Sequence, residues 1–168
     1  MEMVQAARVK ARAKGVLIPL LMLVLCAESS ADSFFGKVVK VADGDTVTVL
    51  DGRERKKVRL YGIDAPEKKQ AFGHKSKQML LGMVAGDQVR VEVEAIDRYG
   101  RFVGRIFDGS EEVNLLMVEQ GGAWVYRRYT SDARYYQAER DAKAARRGLW
   151  GLSSSERIPP WDWRRSAK

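Results

Sequence analysis

Between Phe34 and Asp108 the chain is a succession of short segments rich in Val and other β-forming residues, cut at close intervals by Asp-Gly pairs. Segments this short must pair with one another to satisfy their backbone, and Asp-Gly dipeptides make the tight turns that let them do so. The clearest is 88–96, where Val89, Val91, Val93 and Ala95 alternate with Arg90, Glu92 and Glu94, giving one apolar and one solvated face. The same pattern predicts strands over 35–41, 46–50, 56–63 and 101–108. Between the third and fourth of these, Phe72, Ser76, Met79, Leu80 and Met83 recur at spacings of three and four, and Gly86 closes the run as a helix. A second, short helix is expected with Asn114 as its N-cap and Gly121-Gly122 as its stop. A third runs from about 132 to 147, with Tyr135, Ala138, Ala142, Ala145 and Leu149 on one stripe and Gly148 at its end. Five strands with a helix between the third and fourth is the layout of a five-stranded OB-fold barrel, an α+β fold dominated by β, here with three α-helices. The expected domain spans 32–152, followed by a tail, 153–168, that carries Pro159-Pro160, Trp161 and Trp163 without periodicity.

The first thirty-one residues read differently. Arg8, Lys10, Arg12 and Lys14 precede an apolar run from Val16 to Leu25, and Ser29 and Ala31 supply small residues at the end. A basic stretch, a short apolar stretch and a small-x-small site describe a secretory signal peptide, with cleavage expected after Ala31. The apolar run falls well short of the roughly 20 residues that a membrane-spanning helix needs. Lipidation at Cys26 is disfavoured because Leu25 stands where a small side chain is required. The protein is therefore expected to be exported, to the periplasm or beyond the cell, without stable membrane association after cleavage and as a monomer.

Composition narrows the chemistry. One cysteine and one histidine, His74, exclude multi-cysteine and multi-histidine metal centres, so any metal must rest on carboxylate and carbonyl oxygen. Thirty Lys+Arg against 22 Asp+Glu, a formal charge of +8, point to a polyanionic partner. Asp43-Gly44-Asp45-Thr46 falls in the first turn, and Asp64-Ala65-Pro66-Glu67 where the third strand ends. Either segment alone is explained as an ordinary turn or a helix start. If barrel closure brings them together, their mutual repulsion calls for a cation, and oxygen-only donors favour calcium or magnesium. Arg59 stands inside an apolar run five residues before Asp64, and Arg101 opens the fifth strand. A guanidinium among strand residues needs an anion, either a cross-sheet carboxylate or a phosphate.

The segments DGDTVTV, RLYGIDAPE and DRYGRFVGRI resemble the staphylococcal nuclease (thermonuclease) family in residue type, order and spacing, over roughly 34–150. The resemblance implies a calcium-dependent nuclease that hydrolyses phosphodiester bonds in DNA or RNA and leaves 3′-phosphate ends. It assigns Asp45, Asp64 and the carbonyl of Ala65 to the metal, and Arg59, Glu67 and Arg101 to catalysis. Asp43 matches an acid that shapes the metal site without ligating. Arg98, Tyr99 and Tyr129 are implied as substrate contacts, while Arg127 falls where the family has a second tyrosine.

The remaining residues have plainer readings. His74 lies among Lys68, Lys69, Lys75 and Lys77, as expected of a solvated helix face. Arg127, Arg128, Arg134, Arg140, Lys143, Arg146 and Arg147 form a basic, aromatic-interleaved region that either contacts nucleic acid or pairs with Glu139 and Asp141. Trp150, Trp161 and Trp163 are expected to pin the tail to the barrel. A nuclease-like barrel that binds without catalysis would lack part of the acid and arginine set, which is complete here. A membrane-tethered basic protein would retain its N-terminal segment.

Overall fold

The structure, a computed structural model, describes residues 32–166; the expected signal peptide and Cys26 lie outside the described residues. The chain opens with three antiparallel strands, β1 (Ser33–Asp43), β2 (Thr46–Asp51) and β3 (Glu54–Leu60). After a two-residue strand β4 (Ile63–Asp64) comes helix α1 (Gly73–Val84), and then the hairpin β5 (Gln88–Ile96) and β6 (Phe102–Asp108). A short β7 (Glu111–Glu112) leads into α2 (Val113–Glu119), β8 (Trp124–Val125) and α3 (Ala133–Ala144). A 3-10 turn (Gly148–Gly151) and a last helix, α4 (Pro160–Ser166), follow.

The main sheet runs in the order β3-β2-β1-β5-β6-β7, and β3 also pairs with β6 in parallel, with Val58 opposite Phe102 and Arg59 opposite Val103. That second pairing closes five strands into an OB-fold-like barrel. Register shifts in β1, between Val38 and Lys40 and again between Val41 and Asp43, and in β5 supply the irregularities that bend strands around a closed sheet. Val47, Val49, Val58, Leu60, Val89, Val91 and Ile106 are buried inside, as their alternation requires. Leu80 and Val84 of α1 and Met117 and Val118 of α2 join the same core, and Tyr135 brings α3 onto it. Full burial of each such side chain stabilises the fold by roughly 1.5–3 kcal/mol.

Four departures from the sequence reading have local causes. The third strand does not run on to residue 63: Gly62, at φ 75°, turns the chain after Leu60, and Ile63–Asp64 pairs with β8 rather than continuing the barrel. Helix α2 begins at Val113 with Glu112 as its N-cap, so Asn114 is not the cap. It is instead fully buried, where its amide accepts from the Ile106 N–H at 3.0 Å and donates to the carbonyls of Tyr61 (3.0 Å) and Gly104 (3.1 Å). Helix α3 ends at Ala144, short of residue 147, because Arg146 adopts φ 52°. The tail contains a helix, α4, which makes four α-helices among the described residues instead of three. It starts on Pro160, whose fixed φ and absent N–H suit a first helical turn.

Candidate active site

The β1–β2 turn is built by Asp43, whose Oδ1 accepts the Asp45 N–H at 3.2 Å. Gly44 is required there by close approach, since a Cβ would lie 1.9 Å from Ser76 Oγ and 2.7 Å from Ala65 Cβ. Asp45 is thereby turned inward and buried, with Oδ2 accepting the Ala65 N–H at 2.7 Å and Oδ1 accepting from Thr46 Oγ1 at 3.0 Å. The antiparallel register sets Arg59 opposite Thr46, beside this turn. From there its guanidinium pairs with Asp45 through Nη1 and with Asp64 Oδ1 at 2.7 Å through Nη2. Asp64 reaches the same point from β4, where the turn at Gly62 and the pairing with Trp124 on β8 fix it with no exposed surface.

These acids share a site at an electrostatic cost. Burial pushes the Asp45 carboxyl above its ordinary value and Asp43 adds to the effect, while Arg59 and the Ala65 N–H oppose it. Burial alone would lower the Arg59 pKa, yet Asp45 and Asp64 hold it above the ordinary arginine range. Glu67 lies on the next segment, its N–H donating to Gln70 Oε1 at 3.1 Å. The structure thus brings Asp45, Asp64, Ala65 and Arg59 into direct contact. Glu67 joins them through Arg164 of α4, which donates to Glu67 Oε1 at 2.8 Å, to Asp64 Oδ1 at 3.2 Å and to Asp64 Oδ2 at 2.7 Å.

Arg101 contacts none of these carboxylates. Asp97 holds it in the β5–β6 turn, accepting from the Arg101 backbone N–H at 3.0 Å and from its Nε at 2.7 Å. Arg98 and Tyr99 share that turn: Arg98 Nη2 donates to the Tyr99 hydroxyl at 2.7 Å, and both arginines approach the face of the exposed Tyr99 ring. Tyr129, also exposed, meets Tyr126 edge-on with ring centres 4.9 Å apart. Arg127 is paired with Glu139 at 3.0 Å, and Lys143 with the same carboxylate at 2.8 Å. Arg134 pairs with Asp132 and Glu112. Arg127, Arg134 and Lys143 of the basic region are therefore matched by acids. His74 is exposed on α1.

Three participants were not singled out as site residues in the sequence. Arg164 lies about a hundred positions from the acids it meets, with no local signal. Trp161 stacks flat on Tyr126, at 5.5 Å between ring centres and 4° between planes, and meets Trp124 edge-on at 5.9 Å. Tyr126 places an aromatic ring one position before Arg127, where the family resemblance calls for a tyrosine. A proline start followed by Trp161, Arg164 and Arg165 at helical spacing was the available clue to α4.

The donor set fits a hard cation. It consists of oxygen alone, with two buried aspartates and a third acid, Asp43, beside them. Among the described residues no three His, Cys, Asp or Glu side chains form a ready metal cage. Two carboxylates and a backbone oxygen would have to suffice, with water completing the shell.

The family model described as "Staphylococcal nuclease homologue" matches residues 57–152. An Escherichia coli protein named as an uncharacterized endonuclease is 42% identical over 149 residues, covering 88% of this chain and 95% of its own. A micrococcal nuclease from Shigella flexneri is 39% identical over 158 residues, covering 88% of this chain and 89% of its own. A probable staphylococcal-like nuclease from Oryza sativa subsp. japonica is 34% identical over 140 residues, 83% of this chain but 35% of its own length.

Proposed function

As a member of the staphylococcal nuclease family, to which this chain belongs, the protein is a nuclease, and we propose that it is a calcium-dependent endonuclease acting on DNA, RNA or both. The observation that carries this reading is the buried Asp45–Arg59–Asp64 cluster with Glu67 on the following segment. Asp45, Asp64 and the Ala65 carbonyl would hold the calcium ion, which when bound supplies Lewis-acid polarisation of a non-bridging phosphate oxygen. Arg59 and Arg101 bind the equatorial phosphate oxygens as negative charge grows on them, the kind of preorganised stabilisation that commonly dominates such reactions. Glu67, 41% exposed at its side chain and so open to solvent, orients or deprotonates the attacking water. Arg98, Tyr99 and Tyr129 contact the flanking strand, and cleavage leaves a 3′-phosphate, as in the family.

Phosphate-centred recognition reads no base, which is why DNA and RNA are both admitted. Degradation assays on each, with calcium, with magnesium and with chelator, test the proposal; activity that survives chelation overturns the metal site. Export follows from residues 1–31, and the mass of the exported chain should correspond to a start at Asp32. Among the described residues no helix is long and apolar enough to cross a membrane.

A further inference from the structure

We propose that the C-terminal helix α4 is a built-in cover over the site, with Arg164 standing on the carboxylates that a divalent cation needs, and that cation binding displaces it. The identity of what is covered rests on the nuclease reading above; the cover itself rests on contacts of α4.

Both oxygens of Asp64 are engaged by guanidinium nitrogens. Oδ1 meets Arg59 at 2.7 Å and Arg164 at 3.2 Å, and Oδ2 meets Arg164 at 2.7 Å. Arg164 also takes Glu67 Oε1 at 2.8 Å, so one planar fork spans both acids. Only one acceptor site of Asp64 stays open, on Oδ2 beside the Arg164 guanidinium, so a cation bound there is repelled by that charge and favours the departure of one of the two guanidinium groups. Arg59 is lodged between Asp45 and Asp64 on a closed barrel strand and is only 18% exposed at its side chain. Arg164 is 40% exposed and sits on a seven-residue helix that is not part of the barrel sheet, so it is the one that can leave.

The cover is docked at more than this point. Trp161 lies flat on Tyr126, covering one face of that ring, and it meets Trp124, the β8 partner of Asp64. Gln70, whose Oε1 holds the Glu67 N–H, donates from Nε2 to the carbonyl of Ile158 just before α4. A monovalent guanidinium and an indole thus fill a place suited to a divalent cation and an aromatic shelf suited to a base. The pair of Arg164 with Glu67 is half-exposed on both sides and individually weak, whereas its pair with buried Asp64 can be given up only in exchange for a cation that satisfies the same carboxylate.

Calcium titration of the full chain by calorimetry, without nucleic acid, tests this in the wild type, Arg164→Gln and Trp161→Ala. Arg164→Gln should bind calcium about tenfold more tightly, within the range of coupling between competing contacts. Trp161→Ala, which leaves every charge in place, should tighten binding by a smaller factor. In the wild type, saturating calcium should accelerate amide hydrogen exchange over 160–166. Calcium affinity that neither substitution raises, or exchange at 160–166 that calcium leaves unchanged, overturns the cover. A DNA-cleavage assay run alongside separates the two readings. Tighter calcium binding without cleavage by any variant removes the nuclease assignment alone, whereas cleavage with unaltered calcium affinity removes the cover alone.

Discussion

Arg59 Nη2 donates to Asp64 Oδ1 over 2.7 Å while Nη1 of the same guanidinium meets Asp45, so one side chain from β3 joins carboxylates that arrive from two different turns. Its planar fork makes this possible, since an ammonium is a point charge on a flexible stem. In the proposed mechanism Arg59 therefore has two tasks that can be told apart: to neutralise the acids before substrate binds, and to receive a phosphate oxygen afterwards.

Arg59→Ala should lower DNA turnover by about 10²-fold or more, the loss seen when one transition-state donor is removed. Arg59→Lys keeps the charge without the fork and should recover only part of it. Steady-state cleavage at saturating calcium, with circular dichroism to verify the fold, makes the comparison. Undiminished turnover in Arg59→Ala would remove it from the reaction.

Arg101 depends on Asp97 for its direction. Partial burial works against the charged form of Asp97, but the N–H groups of Arg101 and Tyr99 and the Arg101 Nε outweigh it and hold the carboxyl below its ordinary value. With a depressed native pKa, the folded state takes up a proton less readily than the unfolded chain. The contribution to stability is complete above the unfolded value, near 3.8, and fades as pH falls through the native one. Asp97→Asn should cost at most about 1 kcal/mol at pH 7, as surface pairs do, with a smaller difference from wild type at pH 3 in urea melts. Its turnover should fall about tenfold through misorientation of Arg101. Arg101→Ala should lose about 10²-fold or more in turnover. Full activity in Arg101→Ala with DNA binding unchanged would refute its assignment.

Asn114 ties α2 to the barrel where β3 ends. Asn114→Ala strands the Ile106 N–H and removes a donor from the Tyr61 and Gly104 carbonyls, all in the interior. The expected loss is about 3 kcal/mol, in line with leaving buried groups unsatisfied, read from the midpoint of urea unfolding. Asn114→Asp should be at least as damaging, because a carboxylate cannot donate to the two carbonyls. A loss within experimental error would show that water replaces the amide.

Gly44→Ala should destabilise by about 1–3 kcal/mol through overpacking, because its methyl would collide with Ser76 Oγ. Ser76 Oγ is buried without a hydrogen-bond partner, so its removal forfeits little. Gly44→Ala combined with Ser76→Gly should recover part of the loss; strictly additive unfolding energies would place the strain elsewhere.

What the sequence made legible was whatever is written locally. Alternation in 88–96 and the Asp-Gly turns set out the barrel strands, and the short distance from Arg59 to Asp64 kept the core of the site within one segment. What it concealed depended on contacts between distant positions. Asn114 has the chemistry of a helix cap, yet a buried demand from three backbone groups outweighs that preference. The strand over 56–63 looked continuous because Gly62 is a single residue, and its positive φ is a property of the folded chain. Arg164 meets Asp64 and Glu67 across nearly the whole domain, and a helix of seven residues leaves too short a stripe to announce it.

The parallel seam between β3 and β6 bears on when the molecule becomes able to act. The antiparallel pairings on either side of it, β2–β3 and β5–β6, join near neighbours, but Val58 and Phe102 are separated in sequence by α1 and β5. Until that seam zips, Arg59 and Arg101 belong to separate halves of an open sheet. Contacts of such long sequence separation are slow to form, because loop closure must be met before they contribute. A chain still folding thus lacks the proposed hydrolytic centre, and on that proposal the last stitch of the barrel doubles as the step that arms it.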